Sequence, residues 1–241
     1  MITLALDTSA KTVGIALLED EKILVESFYN LGVDSSVLLL PAIEDVFGKA
    51  GLDVGGVDLL ACTVGPGSFT GLRIGLGTLK GLALATGRPV TGVSTLEALA
   101  FNGIHASLWI CPMMDAQKRQ IYTAIYTSEP DCTLKRIGEE RLADLDAFLP
   151  LISEKTLFIG DGAMKYRERI EESLPGRSFL AAPHLHAVRA SAVGLLAGRK
   201  YARGEILDLL TFTPRYLRLS EAEAKFLQKN AQEDEQRNPI R

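Results

Sequence analysis

The sequence is poor in the residues that most readily announce a function. Among 241 residues there are three cysteines, Cys62, Cys111 and Cys132. They are odd in number and far apart, which excludes a disulfide framework and the close pairing of a zinc or redox motif. Cys62 and Cys111 sit in apolar, strand-like runs and are expected as small buried hydrophobes. Histidine is equally scarce: His105, His184 and His186 provide no HExxH pattern, and no Gly-x-Ser-x-Gly elbow accompanies them. His184 and His186 lie beside Pro183 among alanines and read as surface loop residues rather than metal ligands. A basic surplus is also absent, since 26 Lys and Arg stand against 30 Asp and Glu. That balance excludes a chain that wraps nucleic acid by itself. No hydrophobic run is long enough to span a bilayer, and Asp7 interrupts the opening one, so a cytoplasmic protein without a membrane role is expected.

What remains is a chain with 47% hydrophobic and 23% charged residues, ample for a large core. Ile2–Leu6, Val13–Leu18 and Ile23–Phe28 read as an antiparallel meander. Leu39, Ile43, Val46, Phe47 and Ala50 share one helical face, with Pro41 expected to kink the helix or mark its first turn. Val57–Val64 reads as a strand buried on both faces. A glycine-rich turn, a helix to about Thr86, a strand Pro89–Val93 and a helix Leu96–Phe101 follow. The second half partly repeats this plan, with strands Ser107–Met114, Ile121–Tyr126 and Thr133–Ile137, then a helix Asp144–Ile152, a strand Thr156–Ile159, a turn at Gly160–Ala163 and a helix Ala190–Tyr201. Each half begins with a hairpin whose first strand ends in an aspartate, Asp7 or Asp115. The pattern predicts an α/β protein of two related lobes, residues 1–103 and 104–219, with mixed sheets flanked by helices and a ligand-sized cleft between them. Residues 220–241 are charged and are expected as a flexible tail.

Three segments carry candidate chemistry. In Gly65-Pro66-Gly67-Ser68-Phe69-Thr70-Gly71, Ser68 or Thr70 can cap the next helix, whose free amides could hold an anion. A nucleotide P-loop would continue with Gly-Lys-Ser/Thr, and Leu72-Arg73 stands there instead, so a Walker ATPase is excluded. The helix that follows carries Gly71, Gly75, Thr78, Gly81 and Ala85 within about a third of its circumference. Such a face suits either close packing on the protein's own sheet or a helix from another subunit. Asp7-Thr8-Ser9 can form an Asx-type turn, or it can present amides to a phosphate while the carboxylate holds magnesium. The second aspartate hairpin, at Asp115, is what brings the latter reading forward.

Leu4-Ala5-Leu6-Asp7-Thr8-Ser9, Gly65-Pro66-Gly67-Ser68-Phe69-Thr70-Gly71-Leu72-Arg73-Ile74-Gly75, Gly92-Val93-Ser94-Thr95-Leu96 and Pro214-Arg215-Tyr216-Leu217-Arg218 together resemble the TsaB, or YeaZ-like, family. Met114-Asp115-Ala116 and Gly160-Asp161-Gly162-Ala163 match more loosely, and the resemblance spans residues 1 to about 223. It implies the actin-like ATPase (ASKHA) fold, with two RNase H-like lobes. It further implies a non-catalytic scaffold and activator for the complex that transfers threonylcarbamoyl to the tRNA adenosine beside the anticodon. The implied partners are a TsaD-type paralogue, a TsaE-type ATPase and a second copy of the chain, with tRNA met indirectly through the complex. On this reading no residue is catalytic and none binds metal. The partner interface comprises Gly67, Ser68, Phe69, Thr70, Gly71, Arg73, Gly75, Thr78 and Gly81. ATP with magnesium, if bound, would use Asp7, Thr8, Ser9 and Asp115. A small-molecule kinase or a glycoprotease-like peptidase of the same fold is the alternative. The sequence departs from the family pattern at Ser35-Ser36, where many relatives carry His-Ser, and at Gln117, where an arginine is usual.

Overall fold

A computed structural model describes residues 1–218. The charged segment 220–241 and Leu219 lie outside the described residues. The chain forms two five-stranded sheets, each mixed. In the first, β1 (Ile2–Asp7), β2 (Val13–Glu19) and β3 (Lys22–Tyr29) form the antiparallel meander. β4 (Leu59–Thr63) and β5 (Val90–Val93) add in parallel to β1, giving the order β3-β2-β1-β4-β5. In the second, β6 (Trp109–Asp115), β7 (Gln120–Ser128) and β8 (Leu134–Asp144) repeat the meander. β9 (Thr156–Ile159) and β10 (Ser178–Leu180) are its parallel additions.

Helix α1 (Ser35–Ala50) runs unbroken through Pro41 and ends on Gly51 in the left-handed region. Helix α2 (Phe69–Thr86) is capped by Ser68, whose Oγ accepts the Gly71 N–H at 3.2 Å. Both cover one face of the first sheet, where Leu4, Leu6, Val13, Ile15 and Leu17 meet Leu39, Ile43, Val46, Leu76 and Leu79. Helix α3 (Thr95–Phe101) is capped by Ser94. In the second lobe the expected helix Asp144–Ile152 is shorter, one turn of α4 (Leu145–Phe148) and a 3-10 turn containing Pro150. Two further short helices, α5 (Asp161–Lys165) and α6 (Arg167–Ser173), line the outer face of the second sheet. Only Ile170 of α6 is buried, so no apolar period marked it in the sequence. β8 extends well beyond the expected Thr133–Ile137, because all its charged residues except the buried Glu140 face solvent on an edge strand.

Helix α7 (Ala190–Ala202) follows the second sheet in the chain but packs on the first, against β1, β2, β4 and β5. Its small residues allow this: a Cβ on Gly194 would collide with Leu18. The α7 amino end is held from the first lobe, where Glu26 accepts hydrogen bonds from the Ser191 N–H and from Arg189. Helices α3 and α7 thus sit between the sheets in one continuous core. Ala5, Ala16, Leu18 and Ala61 contribute from the first sheet, and Ile110, Met114, Ala124 and Ile159 from the second. The lobes are fused at this core and part only beyond the carboxyl ends of β1 and β6, the position where ligands enter open α/β sheets.

Candidate functional site: the inter-lobe cleft

Beyond those strand ends lies a cleft of about 1110 Å³. Its walls are the turn after β1 (Ser9, Lys11), the start of α2, the β3–α1 loop (Val33, Asp34), the turn after β6 (Asp115, Gln117), Asp161 with Lys165, and Tyr216 to Arg218.

The first aspartate turn is closed. Asp7, Thr8 and Ser9 are 1%, 2% and 0% exposed. Asp7 Oδ1 accepts three hydrogen bonds, from Ser9 Oγ at 2.6 Å, Thr63 Oγ1 at 2.7 Å and Ser9 N–H at 3.2 Å. Oδ2 is buried without a partner among the described residues. Burial pushes this carboxyl above the usual range, and the hydroxyl donors only partly offset it. The start of α2 forms the roof over the turn. Ser68 N–H donates to Ser9 O, and Thr8 Oγ1 donates to Gly71 O, both at 2.7 Å. Added Cβ atoms on Gly67, Gly71 and Gly75 would fall deep inside contact distance of Ser9 O, Thr8 O and Thr8 Oγ1.

The second aspartate turn is open and ion-paired. Lys165 Nζ lies 2.6 Å from Asp115 Oδ2, while Tyr166 OH and Gln117 N–H donate to Oδ1 at 3.0 and 3.1 Å. Partial burial raises the Asp115 carboxyl, but Lys165, Tyr166 and the amide outweigh it and hold it below the usual range. Asp161 accepts from the amides of Asp115 and Gly162, and burial pushes its carboxyl up. Gln117, Lys118 and Arg119 then take three successive left-handed conformations, with φ of 63°, 51° and 61°. Lys165 and Tyr166 stand some fifty residues from Asp115, and nothing in the local sequence ties them to it.

The residues expected together at a nucleotide are therefore divided. Ser9 and Asp115 line the cleft, whereas Asp7 and Thr8 stand behind its wall. A magnesium nucleotide does not fit this donor set. Reaching Asp7 would require lifting α2 from Thr8, and the Lys165 ammonium already occupies the Asp115 carboxylate. Among the described residues no three His, Cys, Asp or Glu side chains converge as a metal site. His186 serves the fold: its Nδ1 accepts the Gly160 N–H at 3.0 Å and its Nε2 lies 2.9 Å from Ala181 O. Cys62 and Cys111 are buried, and burial pushes both thiols up to about 12.

The expected interface residues also divide. Gly67, Gly71 and Gly75 make the intramolecular contacts just described. Gly81, and Gly77 beside it, are exposed, with nothing within 4 Å of an added Cβ. Thr78 is half-buried, Ser68 and Thr70 are exposed at the cleft rim, and Leu84 is 77% exposed one turn beyond Gly81. The neighbouring α1 exposes Val37 and Leu40. Phe69 stacks on Tyr216 with ring centroids 4.3 Å apart, and the Arg73 guanidinium lies 4.0 Å from the Phe69 centroid. Tyr216 belongs to the Pro214–Arg218 motif, which is the signal that could have placed it here.

Comparison with known proteins gives a consistent result. Residues 33–226 match the family described as TsaD, tRNA N6-adenosine threonylcarbamoyltransferase. The chain is 33% identical over 231 residues to the tRNA threonylcarbamoyladenosine biosynthesis protein TsaB of Bacillus subtilis, covering 95% of this chain and 99% of that one. It is 27% identical to the TsaB of Haemophilus influenzae, covering 89% and 92%. Among solved structures, YeaZ from Pseudomonas aeruginosa superposes with a TM-score of 0.77 at 30% identity, covering 90% of this chain and 99% of that one. The two lobes, each a mixed five-stranded sheet flanked by helices, share the fold of those YeaZ structures.

Proposed function

The chain belongs to the TsaB (YeaZ-like) family, and from that premise we propose that it takes part in tRNA threonylcarbamoyladenosine biosynthesis as a non-catalytic scaffold and activator. It pairs with a TsaD-type paralogue, works alongside a TsaE-type ATPase, and meets tRNA through the complex. A cytoplasmic location follows from that substrate. Among the described residues no helix is long and apolar enough to cross a membrane.

The observation that carries the pairing is the outward face of α2. Gly77 and Gly81 leave its backbone bare, Leu84 continues the row, and Val37 and Leu40 flank it on α1. A bare helix backbone ringed by exposed aliphatic groups suits another helix approaching closely. Gly71 and Gly75, expected on the same face, already meet Thr8 and cannot serve as its contact points. The same face accommodates a second copy of the chain when the paralogue is absent. The kinase alternative needs magnesium between Asp7 and Asp115, which the donor set does not fit. For the peptidase alternative, no three His, Cys, Asp or Glu side chains converge among the described residues.

The test is reconstitution. Threonylcarbamoyl transfer to tRNA is expected only when this chain and the TsaD-type partner are both present. Gly77→Leu and Gly81→Leu are expected to weaken pairing at least tenfold by titration while leaving the circular dichroism of the isolated chain unchanged. Transfer by this chain alone, or pairing indifferent to both substitutions, refutes the proposal.

A further inference from the structure

Residues 203–218, after α7, contain no helix or strand, yet nearly every turn of this segment is tied down. Leu207 N–H donates to Val90 O at 2.7 Å on the edge of β5, and Thr91 Oγ1 donates to Glu205 O at 3.0 Å. Lys80 on α2 donates to Phe212 O at 2.9 Å, and Arg215 N–H donates to Val64 O at 2.7 Å. The segment then crosses to the other lobe. The Arg215 guanidinium donates at 3.0 Å to Glu140 of β8, a carboxylate whose side chain is 0% exposed. Glu140 also accepts from Ser94 Oγ and from Tyr126 OH, so one buried carboxylate joins the α3 cap, the second sheet and this segment. Arg218 donates to Ala116 O at 2.8 Å, inside the strained turn after β6. Between those two crossings, Tyr216 stacks on Phe69 and its hydroxyl accepts the Arg73 Nε–H at 3.1 Å, while Arg73 itself stands exposed on α2.

We propose that residues 205–218 form a latch across the cleft. Arg215 on Glu140 and Arg218 on Ala116 hold β8 and the β6–β7 turn against the first lobe. Tyr216 carries that closed state, through Phe69 and Arg73, to the first turns of α2. The lobes are fused at the α3–α7 core, so release of the latch frees the cleft end alone: the strained turn and the start of α2. A buried carboxylate held by a charged partner changes strongly when that partner is removed, which suits a two-state closure. The latch stands independently of the partner reading above.

Hydrogen exchange of the full chain tests it. Tyr216→Ala is expected to speed exchange at least tenfold in three places: the Arg215 amide, the turn amides Ala116 and Gln120, and the first two turns of α2. The amides of β1 and α7 should keep their protection. Arg203→Ala, which removes only an exposed pair with Glu205, should change none of these. Arg215→Ala should act like Tyr216→Ala. Should it fail to fold with Glu140 left to Arg136 alone, 3.4 Å away, Arg215→Ala with Glu140→Gln provides the same reading. Faster exchange confined to 205–218, with Ala116, Gln120 and α2 unchanged, overturns the proposal and makes the segment a passive covering.

Discussion

The two lobes open with the same device, a strand ending in aspartate that turns back antiparallel, and they resolve it in opposite ways. In the first, Asp7 is sealed under α2 among hydroxyl donors, and no residue of the following turn takes a left-handed conformation. In the second, Asp115 meets Lys165 at the cleft, and three left-handed non-glycine residues follow it. The difference lies in what comes after the fourth strand of each lobe. Gly67, Gly71 and Gly75 let the long helix α2 press directly on Thr8 and Ser9. The short α5 approaches with Gly160 and Gly162 against Met113 and with Asp161 on the Asp115 amide, leaving the Asp115 carboxylate in reach of solvent and of Lys165. Duplicated topology thus supplies two equivalent positions, and local close approach decides which becomes core and which becomes surface.

The largest expected effect attacks the roof. Gly71→Ala places a methyl group inside contact distance of the Thr8 carbonyl oxygen, which as backbone cannot step aside. A loss of about 3 kcal/mol or more is expected by urea unfolding, as for other forced overpacking. Gly160→Ala, with φ of +123° and Met113 O in its path, should cost a similar amount.

Next comes the charge contrast, read as stability against pH. The Asp7 carboxyl is raised by burial, so its contribution is full below pH 3.8 and is lost as pH rises through its folded value. Asp7→Asn removes that dependence, so its stability relative to the parent should improve as pH rises above 3.8, read by urea unfolding at several pH values. Asp115 is lowered, so its contribution is present above pH 3.8 and is lost as pH falls through its folded value. Asp115→Asn should cost about 1 kcal/mol at pH 7 after solvent screening, and the cost should vanish in acid. Parallel pH profiles for the two variants would break the comparison.

The smallest effect divides α2 itself. Gly77→Ala and Gly81→Ala place methyl groups in open space and should each stabilise the isolated chain by roughly 0.5–1 kcal/mol in thermal unfolding. The contrast with Gly71→Ala, about two and three turns away, is the sharpest check that this helix has one intramolecular face and one outward face.

Much of this was legible in the residues. The strand meanders, a cap of α2 at Ser68 or Thr70, the α/β class and the family could all be read from alternation, turn chemistry and the Gly65–Gly75 block. The glycine stripe was legible as a face but not as two faces. A spacing of four residues says which glycines share a side, and it cannot say whether the chain's own Thr8 or an outside helix meets them. The aspartates were legible as a pair in the same way, while their opposite environments depended on Lys165, Tyr166 and Thr63, all some fifty residues distant. Helix α7 followed the same rule: its period was plain, yet the sheet it covers is the one built first.

By itself, then, the sequence determined what acts over short range: the order of strands and helices, the turn that caps α2, and the two aspartate hairpins. Tertiary structure alone decided which aspartate is buried, which glycines stay bare, and where residues 203–218 cross the cleft. Hydrophobic period and capping are set within a few residues. A carboxylate's charge state and a glycine's neighbour are set by whatever the fold brings within about 4 Å, from any distance along the chain.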